Sequence, residues 1–158
     1  VGEGPFPTEL KDEIGEKLGI IGKEFGTVTS RKRRCGWFDA VLVKQTTKIS
    51  GVTGVALTKL DVLDDLDEIK MCVAYKLDGN LINHLPSSKN EQLKLEPVYK
   101  SFKGWKSSTV GIKNFNELPN EAKNYIKELE KNIENKISSI STSPERNDTI
   151  LLVDPFKG

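Results

Sequence analysis

Val52-Thr53-Gly54-Val55-Ala56-Leu57-Thr58-Lys59-Leu60-Asp61 is the stretch that decides how this chain is read. Residues 52–57 are small and apolar enough for a buried strand, which hands directly on to Thr58-Lys59-Leu60-Asp61. Upstream, Asp39 heads an apolar helix through Ala40, Val41, Val43 and Ile49, stopping near Gly51. Before that, Leu10, Ile14 and Leu18 fall four apart, with Thr8 as the expected N-cap and Gly19 and Gly22 as the stop. Downstream, residues 61–67 read as an acidic, solvent-facing turn. Ile69, Met71, Val73 and Tyr75 then alternate with Lys70, Cys72, Ala74 and Lys76, the period of a strand with one wetter face. Asp78-Gly79-Asn80 is a turn signal, and Leu81 onward is its hairpin partner. Residues 84–94 read as polar loop and 97–99 as a short strand. The clearest helix starts at Pro119, with Ala122, Tyr125, Ile126, Leu129 and Ile133 as its apolar stripe. Strands at 137–140 and 150–153 flank Ser141-Thr142-Ser143-Pro144-Glu145-Arg146, and Asp154-Pro155-Phe156 ends the last. The order predicts an α/β fold, a mixed sheet with flanking helices.

The chain has 158 residues, a net charge of +1 and 30% charged residues. That length favours one domain with a sizeable core. The balanced charge argues against a nucleic-acid or membrane partner. Cys35 and Cys72 have no metal-like spacing, and free thiols in a reducing cytosol are expected. No apolar run approaches a membrane span. Val1-Gly2-Glu3-Gly4-Pro5-Phe6-Pro7-Thr8-Glu9 starts without Met and reads as the interior of a folded loop, fixed by turns beside a ligand or another backbone. The chain is expected to be a fragment of a longer protein.

Ser30-Arg31-Lys32-Arg33-Arg34-Cys35-Gly36-Trp37 carries the densest positive charge, and Gly26-Thr27-Val28-Thr29 before it suits a mobile loop. A guanidinium fork grips a carboxylate or phosphate in two places, which an ammonium does not. On an extended loop Arg31 and Arg33 face one anion while Lys32 faces water. A solvated basic turn is the plain alternative, since charge runs are common.

Thr58-Lys59-Leu60-Asp61 matches the guanine-specificity element of GTP-binding proteins, Thr or Asn followed by Lys-x-Asp. An aspartate there accepts both the N1 proton and the exocyclic amine of guanine. Adenine lacks that donor pair and leaves the carboxylate unpaired, at roughly 1–3 kcal/mol. The lysine stem packs along the base. Its position after an apolar strand matters, because ligands of α/β sheets sit beyond the carboxyl ends of strands. Residues 141–144 also follow a strand and offer N–H and hydroxyl groups to a base, although alone they are an ordinary turn. His84, the one histidine, lies in a polar stretch and reads as solvated. Cys35, Trp37, Met71, Tyr75 and Trp105 read as structural. No Gly-x4-Gly-Lys-Ser/Thr loop occurs to cradle a triphosphate, and no catalytic acid–base pair or metal-ligand set stands out.

Val-Gly-x-Gly-Pro-Phe-Pro-Thr-Glu, Glu-Phe-Gly-Thr-x-Thr-x-Arg-x-Arg-Arg-x-Gly-Trp, Leu-Thr-Lys-Leu-Asp-Val-Leu-Asp, Cys-Val-Ala-Tyr, Ser-Thr-x-Pro-Glu-Arg and Asp-Pro-Phe occur here in order. Together they resemble the C-terminal part of adenylosuccinate synthetase, from Val1 nearly to the end. The resemblance implies a portion of a larger, P-loop-like GTP-dependent ligase that joins IMP and L-aspartate in AMP synthesis. There GTP phosphorylates the 6-oxygen of IMP, and the aspartate amine then displaces phosphate. It implies a substrate loop at 26–37, with Thr27, Val28, Thr29, Ser30, Arg31, Lys32 and Arg33 at aspartate and IMP. Val1 falls at the IMP ribose, and Arg33 also reaches toward GTP. Lys59, Leu60 and Asp61, with Ser141, Thr142 and Ser143, fall at guanine. A cytoplasmic homodimer is implied for the parent. The phosphate loop, catalytic Asp and His, and Mg²⁺ site fall outside this chain, so the chain alone is expected to be inactive. Val28 stands where the family often has Thr, and Ser30 and Ser143 where it often has Gly. The competing readings are a free-standing guanine-nucleotide-binding module without catalysis and a basic-loop domain for RNA or an acidic protein.

Overall fold

A computed structural model describes residues 4–28 and 30–154, and helices and strands are mixed along them. The order is α1 (Glu13–Ile21), β1 (Phe38–Asp39), α2 (Ala40–Ile49), β2 (Val55–Leu57), β3 (Glu68–Leu77), β4 (Asn80–Ile82), α3 (Lys89–Gln92), β5 (Glu96–Lys103), α4 (Asn120–Ile133), β6 (Ile137–Ser141) and β7 (Thr149–Leu151). Short 3-10 turns lie at Leu60–Leu63 and Phe115–Glu117. The strands form a four-stranded and a three-stranded sheet, each with parallel and antiparallel pairs. This is the expected α/β class.

Where length alone favours one domain, the chain divides into two compact units. One holds the chain up to Leu42 together with Lys70–Lys100, and the other Val43–Ile69 together with the chain from Ser101 onward. In the first unit, β1 runs parallel to β3 through Phe38↔Met71 and Asp39↔Cys72. The β3–β4 hairpin pairs Leu77 with Asn80. Its two loop residues, Asp78 and Gly79, have φ of +49° and +83°, the mirror-image turn that matches strand twist. Val41, Cys72, Tyr75 and Leu95 make a core against which Leu77, Ile82, Leu85 and Tyr99 pack. Asp39 Oδ1 accepts the Leu42 N–H at 3.0 Å, so it does start α2.

The first helix begins later than the spacing of Leu10 suggests. Asp12, not Thr8, is its N-cap, and Asp12 Oδ1 accepts the Gly15 N–H at 3.0 Å. Thr8 is buried and engaged elsewhere: its carbonyl accepts the Trp37 N–H at 3.2 Å, and Leu10 N–H donates to Cys35 O at 2.9 Å. A Cβ on Gly36 would lie 2.2 Å from Thr8 O, so only glycine fits this crossing of two backbones. The end of the opening segment, at Thr8 and Glu9, thus lies beside another backbone, one of the two surroundings its composition suggested, while residues 1–3 lie outside the described residues. Gly19 sits within α1, and Gly22 alone caps it.

In the second unit, β2 runs parallel to β6, and β6 antiparallel to β7. The α4 stripe is fully realised, with Ala122, Tyr125, Ile126, Leu129 and Ile133 all buried. Phe102 and Trp105 meet the Tyr125 ring with centroids at 5.3 and 6.2 Å. Pro119 is the cap rather than the first helical residue. Glu134 closes the helix in the left-handed region at φ +52°, and its carboxylate binds Lys44 at 2.6 Å and Lys48 at 2.5 Å. Hydrogen bonds from those two ammonium groups lower the Glu134 carboxyl to about 2.

Several strand limits move. The strand expected at 52–57 is confined to Val55–Leu57 with Ala56 exposed, and among the described residues β2 lies at the edge of its sheet beside β6. Residues 84–94 include the short α3, β5 extends well past 97–99, and the final strand sits at Thr149–Leu151 rather than 150–153. Pro155 and Phe156 lie outside the described residues. The segment 61–67 is not uniformly solvent-facing: Asp64 and Leu66 are buried.

Candidate functional site

The arginine segment is a narrow hairpin rather than an open loop. Phe25 and Lys32 form an antiparallel bridge. Gly26 N–H donates to Arg31 O at 2.8 Å, and Arg33 N–H to Glu24 O at 2.8 Å. This pairing keeps residues 31–33 extended, so Arg31 and Arg33 share one face and Lys32 takes the other. Lys32 does not simply face water: its ammonium lies 3.5 Å from Glu16 on α1. Arg33 Nη1 donates to Glu24 Oε2 at 3.4 Å, leaving the side chain 44% exposed. At the tip, Thr27 and Val28 are exposed, Val28 at 95%. Ser30 N–H donates to Gly26 O at 2.8 Å with Ser30 at φ +52°. That left-handed backbone is where glycine rests without strain, which explains physically why a glycine is at home in this position. Thr29 and Val1 lie outside the described residues.

Arg34 has a different task. Its Nε and Nη2 donate to the two Glu9 carboxylate oxygens at 2.8 Å each, and Nη1 donates to Gly4 O at 2.9 Å. Its guanidinium also lies 5.1 Å from the Phe6 ring centre. The Arg34 hydrogen bonds are the main cause holding the Glu9 carboxyl below the usual range. Arg34 therefore ties the opening segment to the end of the hairpin.

In the second unit the two predicted base-recognition segments come together. Parallel pairing of Leu57 with Ile140 brings residues 58–61 and 141–144 out side by side at the carboxyl ends of β2 and β6. Lys59 takes a left-handed backbone, φ +60°, and its N–H donates to Ser141 Oγ at 2.9 Å. Leu60 is 1% exposed, so its side chain anchors the turn rather than meeting a ligand. Asp61 follows in the 3-10 turn. Its Oδ1 is buried and, among the described residues, has no hydrogen-bond partner. Burial, reinforced by the nearby Asp64 charge and opposed by Lys59, raises the Asp61 carboxyl above its ordinary range. A desolvated acceptor without a donor is costly unless a ligand supplies one.

The side chains of 141–144 are largely spent on the fold. The Thr142 hydroxyl lies 2.9 Å from Ile112 O and 3.2 Å from Asp148 O, and the Thr142 N–H donates to Asp148 O. Ser143 Oγ donates to Asp148 Oδ2 at 2.8 Å and accepts the Glu145 N–H. Any contact these two make with a base would run through backbone, where serine and glycine are equivalent.

Comparison with known proteins places this geometry in a family. The family model for adenylosuccinate synthetase matches residues 1–150. The chain belongs to the adenylosuccinate synthetase family. The fully ligated adenylosuccinate synthetase from Plasmodium falciparum matches with a TM-score of 0.91 and 40% identity, over 96% of this chain and 37% of that one. The chain thus spans 37% of the length of that synthetase.

Sequence reasoning missed the burial of Asp64, which it placed in a solvated acidic turn. The Asp64 carboxylate accepts the Trp105 indole N–H at 2.7 Å, the Thr109 N–H at 2.7 Å and the Thr109 hydroxyl at 2.8 Å. The signal available in sequence was the pair of leucines around it, Leu63 and Leu66. Asp39 is also a buried acid: it accepts the Tyr75 hydroxyl at 2.5 Å, and burial raises its carboxyl. Burial and the Asp39 charge push the Cys72 thiol up to about 12, leaving it inert. His84 is exposed, and both tryptophans are buried as expected. Among the described residues there is no cluster of three or more His, Cys, Asp or Glu side chains that could hold a metal. Nor, among them, is any helix long and apolar enough to cross a membrane.

Proposed function

We propose that this chain is the guanine- and aspartate-recognising portion of a GTP-dependent ligase joining IMP and L-aspartate into adenylosuccinate, a step toward AMP. The observation that carries the proposal is the buried, unpartnered Asp61 Oδ1 at the carboxyl end of β2, tied through Lys59 N–H and Ser141 Oγ to the end of β6. It suits the N1–H and 2-amine of guanine, with the Lys59 stem along the base. The shared face of Arg31 and Arg33 suits the carboxylates of aspartate, and Arg31 also serves IMP. By resemblance Thr27, Val28, Thr29 and Ser30 shape the closing loop, and Val1 meets the IMP ribose. Arg33 serves GTP use as well.

In the reaction, the 6-oxygen of IMP takes the γ-phosphoryl group of GTP, and the aspartate amine replaces it at C6 with loss of phosphate and a proton. In this chain the residues orient base and carboxylate, and no step here runs through Mg²⁺. By resemblance, the phosphate loop and catalytic groups fall in the part of the synthetase that this chain, at 37% of the matched one, does not span, and the parent is a cytosolic homodimer. The test is to supply the full-length protein with GTP, Mg²⁺, IMP and aspartate and to separate products chromatographically. Stoichiometric adenylosuccinate, GDP and phosphate are expected. GTP binding with no ligation would instead favour a guanine-binding module.

A further inference from the structure

Asp64 follows Asp61 by three residues, yet it is 8% exposed and grips a distant part of the chain. All three of its donors, the Trp105 indole and the Thr109 N–H and hydroxyl, are neutral. Its own N–H donates to Asp61 O at 3.2 Å, closing the turn that bears Asp61. The next residues are stitched to the same stretch, since Gly104 N–H donates to Asp67 O at 2.8 Å. A Cβ on Gly104 would fall 1.7 Å from Leu66 O, so the two backbones are in tight apposition. At its other end the turn is held by the Lys59–Ser141 hydrogen bond. Asp61 is therefore carried on a turn fixed at both ends, with one oxygen left unpartnered.

We propose that Asp64 is a positioning residue for base selectivity: anchored on Trp105 and Thr109, it fixes the turn from which Asp61 reads the 2-amine of guanine. The inference rests on the reading of Asp61 as the guanine acceptor. Two-point recognition demands that both Asp61 oxygens lie near the plane of the base. A turn freed to rotate keeps one hydrogen bond easily and loses the second. GTP and inosine triphosphate separate the two cases, because hypoxanthine keeps N1–H but lacks the 2-amine.

The experiment uses the full-length protein and displaces a fluorescent guanine nucleotide with GTP or with inosine triphosphate. Asp64→Asn turns one acceptor into a donor facing the Thr109 or Trp105 donors, so the anchor breaks. GTP affinity should fall about 10–100-fold while inosine triphosphate affinity changes little, so the ratio between them collapses. Thr109→Val removes one donor with little change of shape, and Trp105→Phe removes another while leaving a small cavity; each should lower the ratio by a smaller step. They also serve if Asp64→Asn fails to fold. A drop in thermal midpoint with an unchanged ratio in the folded variants would mean that Asp64 only stabilises the unit, and the proposal would fall. Asp61→Asn is the separate check: if it leaves GTP affinity intact, the guanine reading itself fails, whatever Asp64 does.

Discussion

Replacing Asp61 by Asn in the full-length protein tests the recognition chemistry most directly. Among the described residues Asp61 Oδ1 is buried with no hydrogen-bond partner, so a guanine donor would satisfy an acceptor that the fold leaves open. Two hydrogen bonds to a charged acceptor contribute about 1.5–3 kcal/mol each, and asparagine keeps one neutral bond while opposing the second guanine donor with a donor. The net loss is about 2–4 kcal/mol, or ~30–1000-fold in affinity for GTP. Xanthosine triphosphate should gain, because xanthine presents a carbonyl where guanine has its amine. The pH dependence adds a second signature. On the proposed reading guanine binds the ionised carboxylate, and burial raises its pKa in the free protein. Wild-type affinity is therefore full above that raised pKa and falls about tenfold per pH unit below it. In the variant this dependence should vanish. For folding the sign is opposite: a raised carboxyl favours the fold at low pH, and that contribution is lost as pH rises through the folded pKa. Titration calorimetry with both nucleotides across mildly acidic to neutral pH reads all of this. An unchanged GTP affinity, or the same pH slope in wild type and variant, would refute the reasoning.

Three further outcomes follow from the geometry. Arg31→Leu should raise KM for aspartate by roughly 10–100-fold, the loss of a charge-assisted pair. Arg33→Leu should impair aspartate and GTP use together, and Lys32→Leu, whose Glu16 contact is exposed, should be nearly silent. Steady-state kinetics at fixed ionic strength compares the three, and equal effects at all three positions would reduce the hairpin to a diffuse basic patch. Tyr75→Phe should cost about 1.5–3 kcal/mol near neutral pH, because buried Asp39 then keeps the Leu42 N–H and loses its hydroxyl donor. Removing that donor raises the Asp39 carboxyl further, so the penalty in a denaturant midpoint should shrink as pH falls and Asp39 takes up its proton. Gly36→Ala places a Cβ against Thr8 O and should destabilise the first unit by about 2–4 kcal/mol, read by thermal unfolding; a neutral result would contradict the backbone crossing.

What the sequence determined by itself is local or repeats at a fixed period. The α4 stripe, the Asp78-Gly79 turn, Asp39 at the head of α2, and Thr58-Lys59-Leu60-Asp61 at a strand end all depend on neighbours a few residues away. The ordered motifs also sufficed to point to the family. What only the tertiary structure decided depends on partners far along the chain. Thr8 looked like a cap until its backbone met Gly36, and Asp12 took that role. Arg34 looked like one more charge in a basic run until it forked onto Glu9, 25 residues away. Asp64 looked solvated until donors 41 and 45 residues downstream surrounded it. Thr142 and Ser143 kept their place beside the Asp61 turn, but their hydroxyls went to the fold. A buried polar group must find its partner wherever the chain brings one, and no periodicity in the sequence encodes that distance.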